Sequence, residues 1–281
     1  MSIIIGIDVG GSTTKIVGFS EENGERKLIH PQFIRANDPV TATYGAFGKF
    51  TDENNIPISE IKKVVMTGVG SSYVKRNLYG IDCERVEEFN CIGRGGLYLS
   101  GLDNALVVSM GTGTALVHAS KTGGMNYLGG TGVGGGTLIG LSKLLVGAES
   151  VDHIVEYADE GDLGQIDLKI RDLTEKGTHG ALRADMTAAN FGNVSDIASK
   201  SDIALGVMNL VFETVGMVSI FASRHSGTPD IVLTGNLTRL GFAATKFNEF
   251  NNLGYGVNFI IPEHSQYSTV IGCALTAADL K

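Results

Sequence analysis

The stretch Ile3–Lys15, IIIGIDVGGSTTK, leaves the start of this chain little conformational choice. A run of β-branched apolar residues leads into an acid, a glycine pair and small hydroxyl residues, the pattern of a buried strand that ends in a tight turn. Gly10 and Gly11 carry no Cβ, so successive N–H groups there can converge on an anionic oxygen. Asp8 then stands at the strand end beside that anion. A carboxylate next to phosphate is repulsive unless a divalent cation lies between them, so Asp8 implies Mg²⁺, which one or two carboxylates commonly hold together with phosphate and water. Lys15 adds a positive charge on the returning strand. Taken alone, the segment reads equally well as an ordinary hairpin with a glycine turn.

The same plan recurs about a hundred residues later. Ala105–Ser109 reads as a strand, and Met110–Ser120, MGTGTALVHAS, as a glycine and hydroxyl turn with its return strand. Such a repeat suggests two related halves, 1–103 and 104–281, with a nucleotide between them and a phosphate-binding hairpin from each. Gly111, Thr112 and Gly113 supply N–H groups and a hydroxyl. His118, on the return strand, reads as a packed or edge histidine. A third glycine stretch, Gly129–Gly136, precedes a helix expected over Thr137–Ala148, and a loop entering a helix N-terminus is an anion site by geometry and dipole. It matches neither a P-loop nor a dinucleotide fingerprint.

Composition narrows the class. The 39 glycines cluster in these turns, and 43% hydrophobic with 19% charged residues marks a soluble globular protein of one large or two medium α/β domains. A net charge of −8 argues against nucleic acid as a partner. Cys83, Cys91 and Cys273 have no metal spacing, and with no recognisable signal peptide a cytoplasmic protein is expected. The longest apolar run, Ala204–Ala222, is interrupted by Asn209, Glu213 and glycines, so no membrane span is expected.

Further elements follow from periodicity: strands at Thr14–Ser20 and Leu28–Ile34 around a polar turn at 22–27, a helix over Pro39–Thr51, a strand at Ile61–Thr67 and a loop at 68–72. Glu87 and Glu88, in VEEFN, stand between a strand and a helix. They read either as a solvated loop or as a source of a general base that orients an alcohol and takes its proton. Val151–Lys176 reads as a helix with a solvated charged face. Residues 184–193 read as a turn, and Ser201–His225 as a long apolar helix, either core or dimer seam. Ile231–Thr234 is a strand, and GNLTRLG at 235–241 opens a helix with a Gly-Asn turn suited to adenine or ribose. Phe259–Ile261 and Tyr267–Asp279 close the chain as strand and helix.

The strings GIDVGGSTTK, VEEFN, VSMGTGTALVHA, GGTGVGGGTLIGL, IDLKIRD, DMTAANFGN and VLTGN, in this order over nearly the whole chain, resemble the type II pantothenate kinases of the sugar kinase, heat-shock ATPase and actin superfamily. The resemblance implies an α/β fold of two related ribonuclease-H-like halves, with mixed β-sheets flanked by helices and a nucleotide in the cleft. It implies ATP with Mg²⁺ as cofactors, pantothenate as small-molecule acceptor and a homodimer formed through the 201–225 helix. By position, Gly10, Gly11 and Ser12 hold phosphates with Asp8 near the metal, and Glu88 falls where the family keeps its catalytic glutamate. Ser109, Thr112 and Thr114 lie near phosphate and pantothenate. Gly129, Gly134, Gly135 and Gly136 wrap the nucleotide, and Gly235 with Asn236 approaches the nucleoside. One departure stands out: the family places an arginine before the glycine loop to grip the substrate carboxylate, where this chain has Asn126, Tyr127 and Leu128. Either Arg94 substitutes for it or the acceptor differs. The alternatives are a kinase of a sugar or another small alcohol, and a nucleotide-dependent ATPase or activator without a small-molecule acceptor.

Overall fold

The computed structural model describes residues 2–11, 13–22, 25–35, 38–75, 77–175 and 182–279. By its contacts the chain forms two compact units, Met1–Gly130 with Ser219–Lys281, and Thr131–Val218.

The first unit begins with β1 (Ser2–Val9), β2 (Thr14–Glu22) and β3 (Glu25–Ile34), followed by α1 (Pro39–Glu53), β4 (Ile61–Thr67), β5 (Cys83–Arg85) and α2 (Glu88–Ser100). The strands make one sheet in the order β3-β2-β1-β4-β5, with β1 and β2 antiparallel and β1 and β4 parallel. β1 is apolar without alternation because both its faces are covered. Ile3, Ile5, Ile7 and Val9 join the cluster that includes Phe47 and Phe50 of α1, whereas Ile4 packs against Cys91 and Cys273 on the other face. α1 starts where Asp38 accepts the Thr41 N–H at 2.6 Å and Pro39 fills the first turn. The β2–β3 ladder runs further into the polar stretch 22–27 than its composition suggests, to a Glu22–Glu25 pair. Of residues 68–72, expected as loop, 69–72 lie in the 3-10 helix Val69–Tyr73, with Gly68 just before it.

A second sheet repeats the plan. It contains β6 (Asn104–Met110), β7 (Thr114–Ser120) and β8 (Gly124–Thr131), and two strands from beyond the second unit that are defined below. β8 has no counterpart among the sequence expectations, because its exposed polar and glycine residues lack any strand periodicity.

The second unit holds α3 (Gly135–Val146), α4 (Val151–Asp159), β9 (Leu168–Lys169), α5 (Ile170–Leu173), β10 (Thr187–Ala189) and most of α6 (Lys200–Ser226). Val151–Lys176 is therefore not one solvated helix. The chain leaves α4 at Asp159 and turns inward, because Asp167 is fully buried: its carboxylate accepts the Phe191 N–H at 2.9 Å and the Asn209 side-chain amide at 2.7 Å. Lys169 Nζ donates to Thr187 at 2.7 Å, and Thr187 and Asn190 both donate to Glu213 at 2.9 Å. IDLKIRD and DMTAANFGN are thus two sides of one buried polar network. Residues 176–181 lie outside the described set. α6 opens on a capping box, in which Asp202 accepts the Ser199 N–H at 2.7 Å and Ser199 Oγ accepts the Asp202 N–H at 3.1 Å. It is the one helix among the described residues with the length and mean hydropathy of a membrane span, and 61% of its apolar window is buried.

Returning to the first unit, the chain continues through β11 (Asp230–Thr234), α7 (Gly241–Asn252), β12 (Asn258–Ile260) and α8 (Ser268–Asp279). The second sheet runs β12-β11-β6-β7-β8, with β6 antiparallel to β7 and parallel to β11. Strand for strand this is the order of the first sheet. The last helix of each half packs on the other half's sheet, α2 on β6 and β7 and α8 on β1 and β4, and the two helices pack on each other. Glycines permit that crossing, since a Cβ at Gly95 would come within 1.9 Å of the Ser268 carbonyl oxygen and one at Gly272 within 1.9 Å of that of Cys91.

Candidate active site

The two hairpin turns are built alike and meet. Gly10 donates its N–H to the Thr13 carbonyl at 3.1 Å, and Gly111 donates to the Gly113 carbonyl at 2.9 Å. A Cβ added at Gly11 would lie 3.8 Å from Thr112 Oγ1, so the turns face each other at van der Waals distance. Ser12 lies outside the described residues.

The duplication extends to the strands beside them. β4 ends in Thr67-Gly68 and β11 in Thr234-Gly235, and each passes directly into a 3-10 helix, Val69–Tyr73 or Asn236–Arg239. Both glycines take a positive φ, +84° and +93°. Their missing side chains are required: a Cβ at Gly68 would sit 2.6 Å from Asp8 Oδ1 and from the Val9 carbonyl, and one at Gly235 2.5 Å from the Met110 carbonyl. Asn236 then reaches back to Thr13 Oγ1, 3.4 Å away. The register pairs Asp8 with Thr67 and Lys15, and Ser109 with Thr234 and Ala115. Asp8 and Ser109 are thus equivalent positions, as are Lys15 and Ala115. The carboxylate and the ammonium occur on the first side only, so the site is doubled in shape and single in chemistry.

Asp8 and Lys15 are each only 8% exposed. Burial raises the Asp8 carboxyl above the usual carboxylate range, with Lys15 opposing, and lowers the Lys15 ammonium, opposed by Asp8 and assisted by Arg239. Both shifts follow from removing charge from water. Among the described residues no set of three His, Cys, Asp or Glu side chains could cage a metal. That donor set fits an ion held by one carboxylate with its remaining ligands from phosphate and water, the manner of Mg²⁺.

Glu87 and Glu88 have different tasks. Glu87 is the N-cap of α2, accepting the N–H groups of Phe89 at 3.1 Å and Asn90 at 2.8 Å. Glu88, in the first helical turn, is pushed up to about 7 by burial first, then by the charges of Asp8 and Glu87. A carboxyl poised there is matched to proton transfer near neutrality. Behind it the Phe89 ring stacks on Tyr127 of β8, with centroids 3.9 Å apart and planes 12° from parallel. Tyr127, at the position where the resemblance leads one to expect arginine, is 46% exposed.

The other candidate positions differ in exposure and placement. Thr114 is buried at the base of the second hairpin, while Thr112 is exposed at its tip. Arg94 lies in α2 and lines a different cavity, whose described lining includes neither Glu88 nor Tyr127. The glycine stretch 129–136 does not form one loop. Gly129 belongs to β8 with φ +127°, while Gly134, Gly135 and Gly136 open α3 in the second unit. Sequence reading missed the matched roles of Gly68 and Gly235, although the paired Thr-Gly dipeptides after apolar strands were visible as a signal.

Two five-stranded mixed sheets of identical order, joined through crossed helices and each carrying a phosphate-type hairpin, define a member of the sugar kinase, heat-shock ATPase and actin superfamily. Solved structures agree on the fold. The activator of 2-hydroxyisocaproyl-CoA dehydratase from Clostridium difficile, with bound ADPNP, superposes at a TM-score of 0.69 with 18% identity over 99% of this chain and 95% of its own. A ROK family glucokinase from Streptomyces griseus, in complex with glucose and AMPPNP, gives 0.63 with 12% identity over 99% and 100%. Sequence relatives are more specific. A type II pantothenate kinase of Oceanobacillus iheyensis is 30% identical over 241 residues, 82% of this chain and 83% of the relative. One from Staphylococcus aureus is 27% identical over 278 residues, 95% and 97% of the two chains. The Fumble family model matches residues 102–275, and the chain belongs to that family, the type II pantothenate kinases.

Proposed function

We propose that the protein transfers the γ-phosphoryl group of ATP to the primary hydroxyl of pantothenate, giving 4'-phosphopantothenate, the first step of coenzyme A biosynthesis. The observation that carries this reading is Glu88, a carboxyl at the start of α2 raised to about 7 by burial and by the charges of Asp8 and Glu87. Family membership and relatives named type II pantothenate kinase supply the acceptor. Fold neighbours solved with ATP analogues support ATP as donor.

In this reading Glu88 accepts a hydrogen bond from the acceptor hydroxyl and takes its proton as the oxygen attacks phosphorus. The N–H groups of Gly10, Gly11 and the Thr112–Gly113 turn hold the phosphates, and Lys15 adds charge at the buried end of the first hairpin. Gly235 and Asn236 approach the nucleoside. Asp8 would hold Mg²⁺, which when bound neutralises phosphate charge. Tyr127, stacked on Phe89, fixes the acceptor by contact where the family uses an arginine, and Ser109 and Thr114 line the same hairpin. The helix start at Gly134–Gly136 is suited to an anion through its first-turn N–H groups. The functional halves are residues 1–103 and 104–281. A homodimer joined through α6 and a cytoplasmic location complete the proposal.

ADP release measured with a panel of alcohols tests it. Pantothenate should stimulate release far above glucose, glycerol and buffer. A signal with sugars and none with pantothenate would overturn the acceptor, and equal ADP release with no acceptor would point to an ATPase.

A further inference from the structure

The geometry points to Arg239 as a further donor-binding residue, one that grips a phosphate of the nucleotide beside Lys15; this role rests on the ATP-dependent reading above. Strand registers set Thr67, Asp8, Lys15 and Phe33 side by side across β4, β1, β2 and β3. Paired residues point to the same side, so the four share one face of the first sheet at its hairpin end. Arg239 meets the far end of that row from the second sheet. It closes the 3-10 helix Asn236–Arg239, whose first residue donates to Thr13 Oγ1 of the first hairpin at 3.4 Å. Its guanidinium stands over the Phe33 ring, 5.4 Å from the centroid. One strand spacing, roughly 5 Å, separates the Phe33 and Lys15 backbones, so a guanidinium resting on that ring flanks whatever Lys15 holds.

The charges along this row do not cancel. Burial lowers the Lys15 ammonium first, Asp8 opposes that, and Arg239 lowers it further. Asp8 thus offsets Lys15, whereas Arg239 is exposed and makes no ion pair among the described residues. A guanidinium over a ring at an exposed site is held weakly, so Arg239 can leave Phe33 at little loss. A phosphate between Lys15 and Arg239 accepts hydrogen bonds from both and removes their repulsion, and the planar guanidinium fork suits two oxygens of one phosphate. Arg35 also stands over Phe33, 6.0 Å from the centroid, but it is not among the charges acting on Lys15. The two arginines share a ring and differ in role, which makes Arg35 the matched control. The role requires no particular acceptor for the enzyme.

Isothermal titration of the full chain with a non-hydrolysable ATP analogue and Mg²⁺ tests the assignment. Arg239→Gln should weaken the analogue about tenfold or more, the loss expected for one charged hydrogen-bonding partner. Arg239→Lys, which keeps the charge and loses the fork, should fall between the two. Arg35→Gln should stay within about twofold of the parent, as expected for an exposed charge without a ligand contact. The urea midpoint of Arg239→Gln should match the parent's, and in steady-state kinetics the KM for ATP should rise while the acceptor KM is unchanged. Unchanged analogue affinity in Arg239→Gln, an equal loss in Arg35→Gln, or a loss that comes with a lowered urea midpoint would overturn the role of Arg239 and leave ATP dependence standing. A parent chain that does not bind the analogue at all would overturn both.

Discussion

Glu88→Gln separates the chemistry of Glu88 from its burden on stability. The native carboxyl titrates near 7 instead of 4.5 because it is half-buried and faces Asp8 and Glu87. In the unfolded chain the carboxyl ionises above about 4.5, while the folded protein holds the proton up to about 7. Stability is thus fully present below the unfolded value, falls as pH rises through this window and is flat above it. At about 1.4 kcal/mol for each pH unit between the two titration points, the loss has an upper bound of about 3.4 kcal/mol. Solvent screening of a half-buried group reduces this to about 2 kcal/mol. Glutamine cannot ionise, so the variant should be more stable than the parent by about 2 kcal/mol at pH 8 and nearly equal at pH 4.5. Urea denaturation at the two pH values measures the difference. Turnover should fall about a hundredfold or more, as expected for removal of a general base, and the parent's rise of kcat/KM with pH up to about 7 should vanish. An equal stability difference at both pH values, or full activity at saturating substrates, would refute the reasoning.

Other perturbations separate the remaining parts. Gly68→Ala places a Cβ 2.6 Å from Asp8 Oδ1 at φ +84°, and should lower stability by about 2–4 kcal/mol in chemical denaturation and raise the KM for ATP. Asp8→Asn should raise the Mg²⁺ concentration for half-maximal activity about tenfold or more, measured by metal titration. Tyr127→Ala removes the Phe89 stack, worth about 1 kcal/mol, and should raise the acceptor KM several-fold with the ATP KM unchanged in steady-state kinetics. Asp167→Ala strands the Phe191 N–H and the Asn209 amide in a fully buried place, so urea denaturation should show a loss of about 3–5 kcal/mol.

Much of the fold is written in local pattern. β1 and β6 announce themselves by apolar runs that end in Gly-rich turns, and their recurrence anticipates the repeated sheet order. The helix at Pro39 is legible from its proline start and aromatic spacing. What escaped was set by long-range partners. Charge alternation in 151–176 suggested a solvated helix, yet Asp167 is buried because Asn209 and Phe191, far along the chain, satisfy its carboxylate. β8 carries exposed polar residues and exists because β7 offers it a ladder. Glu87 and Glu88 are chemically identical in the sequence. Only the helix start divides them, giving one to the backbone as a cap and leaving the other raised beside Asp8. The absent arginine was visible at Asn126–Leu128, but that Tyr127 would stack on Phe89 required the strand between them.

Product analysis tests the central claim most directly. With purified protein, Mg-ATP and pantothenate, phosphorus NMR should show a phosphomonoester on pantothenate growing in equal proportion to ADP, and Glu88→Gln should slow both together. ADP accompanied by inorganic phosphate, with pantothenate unmodified, would contradict it.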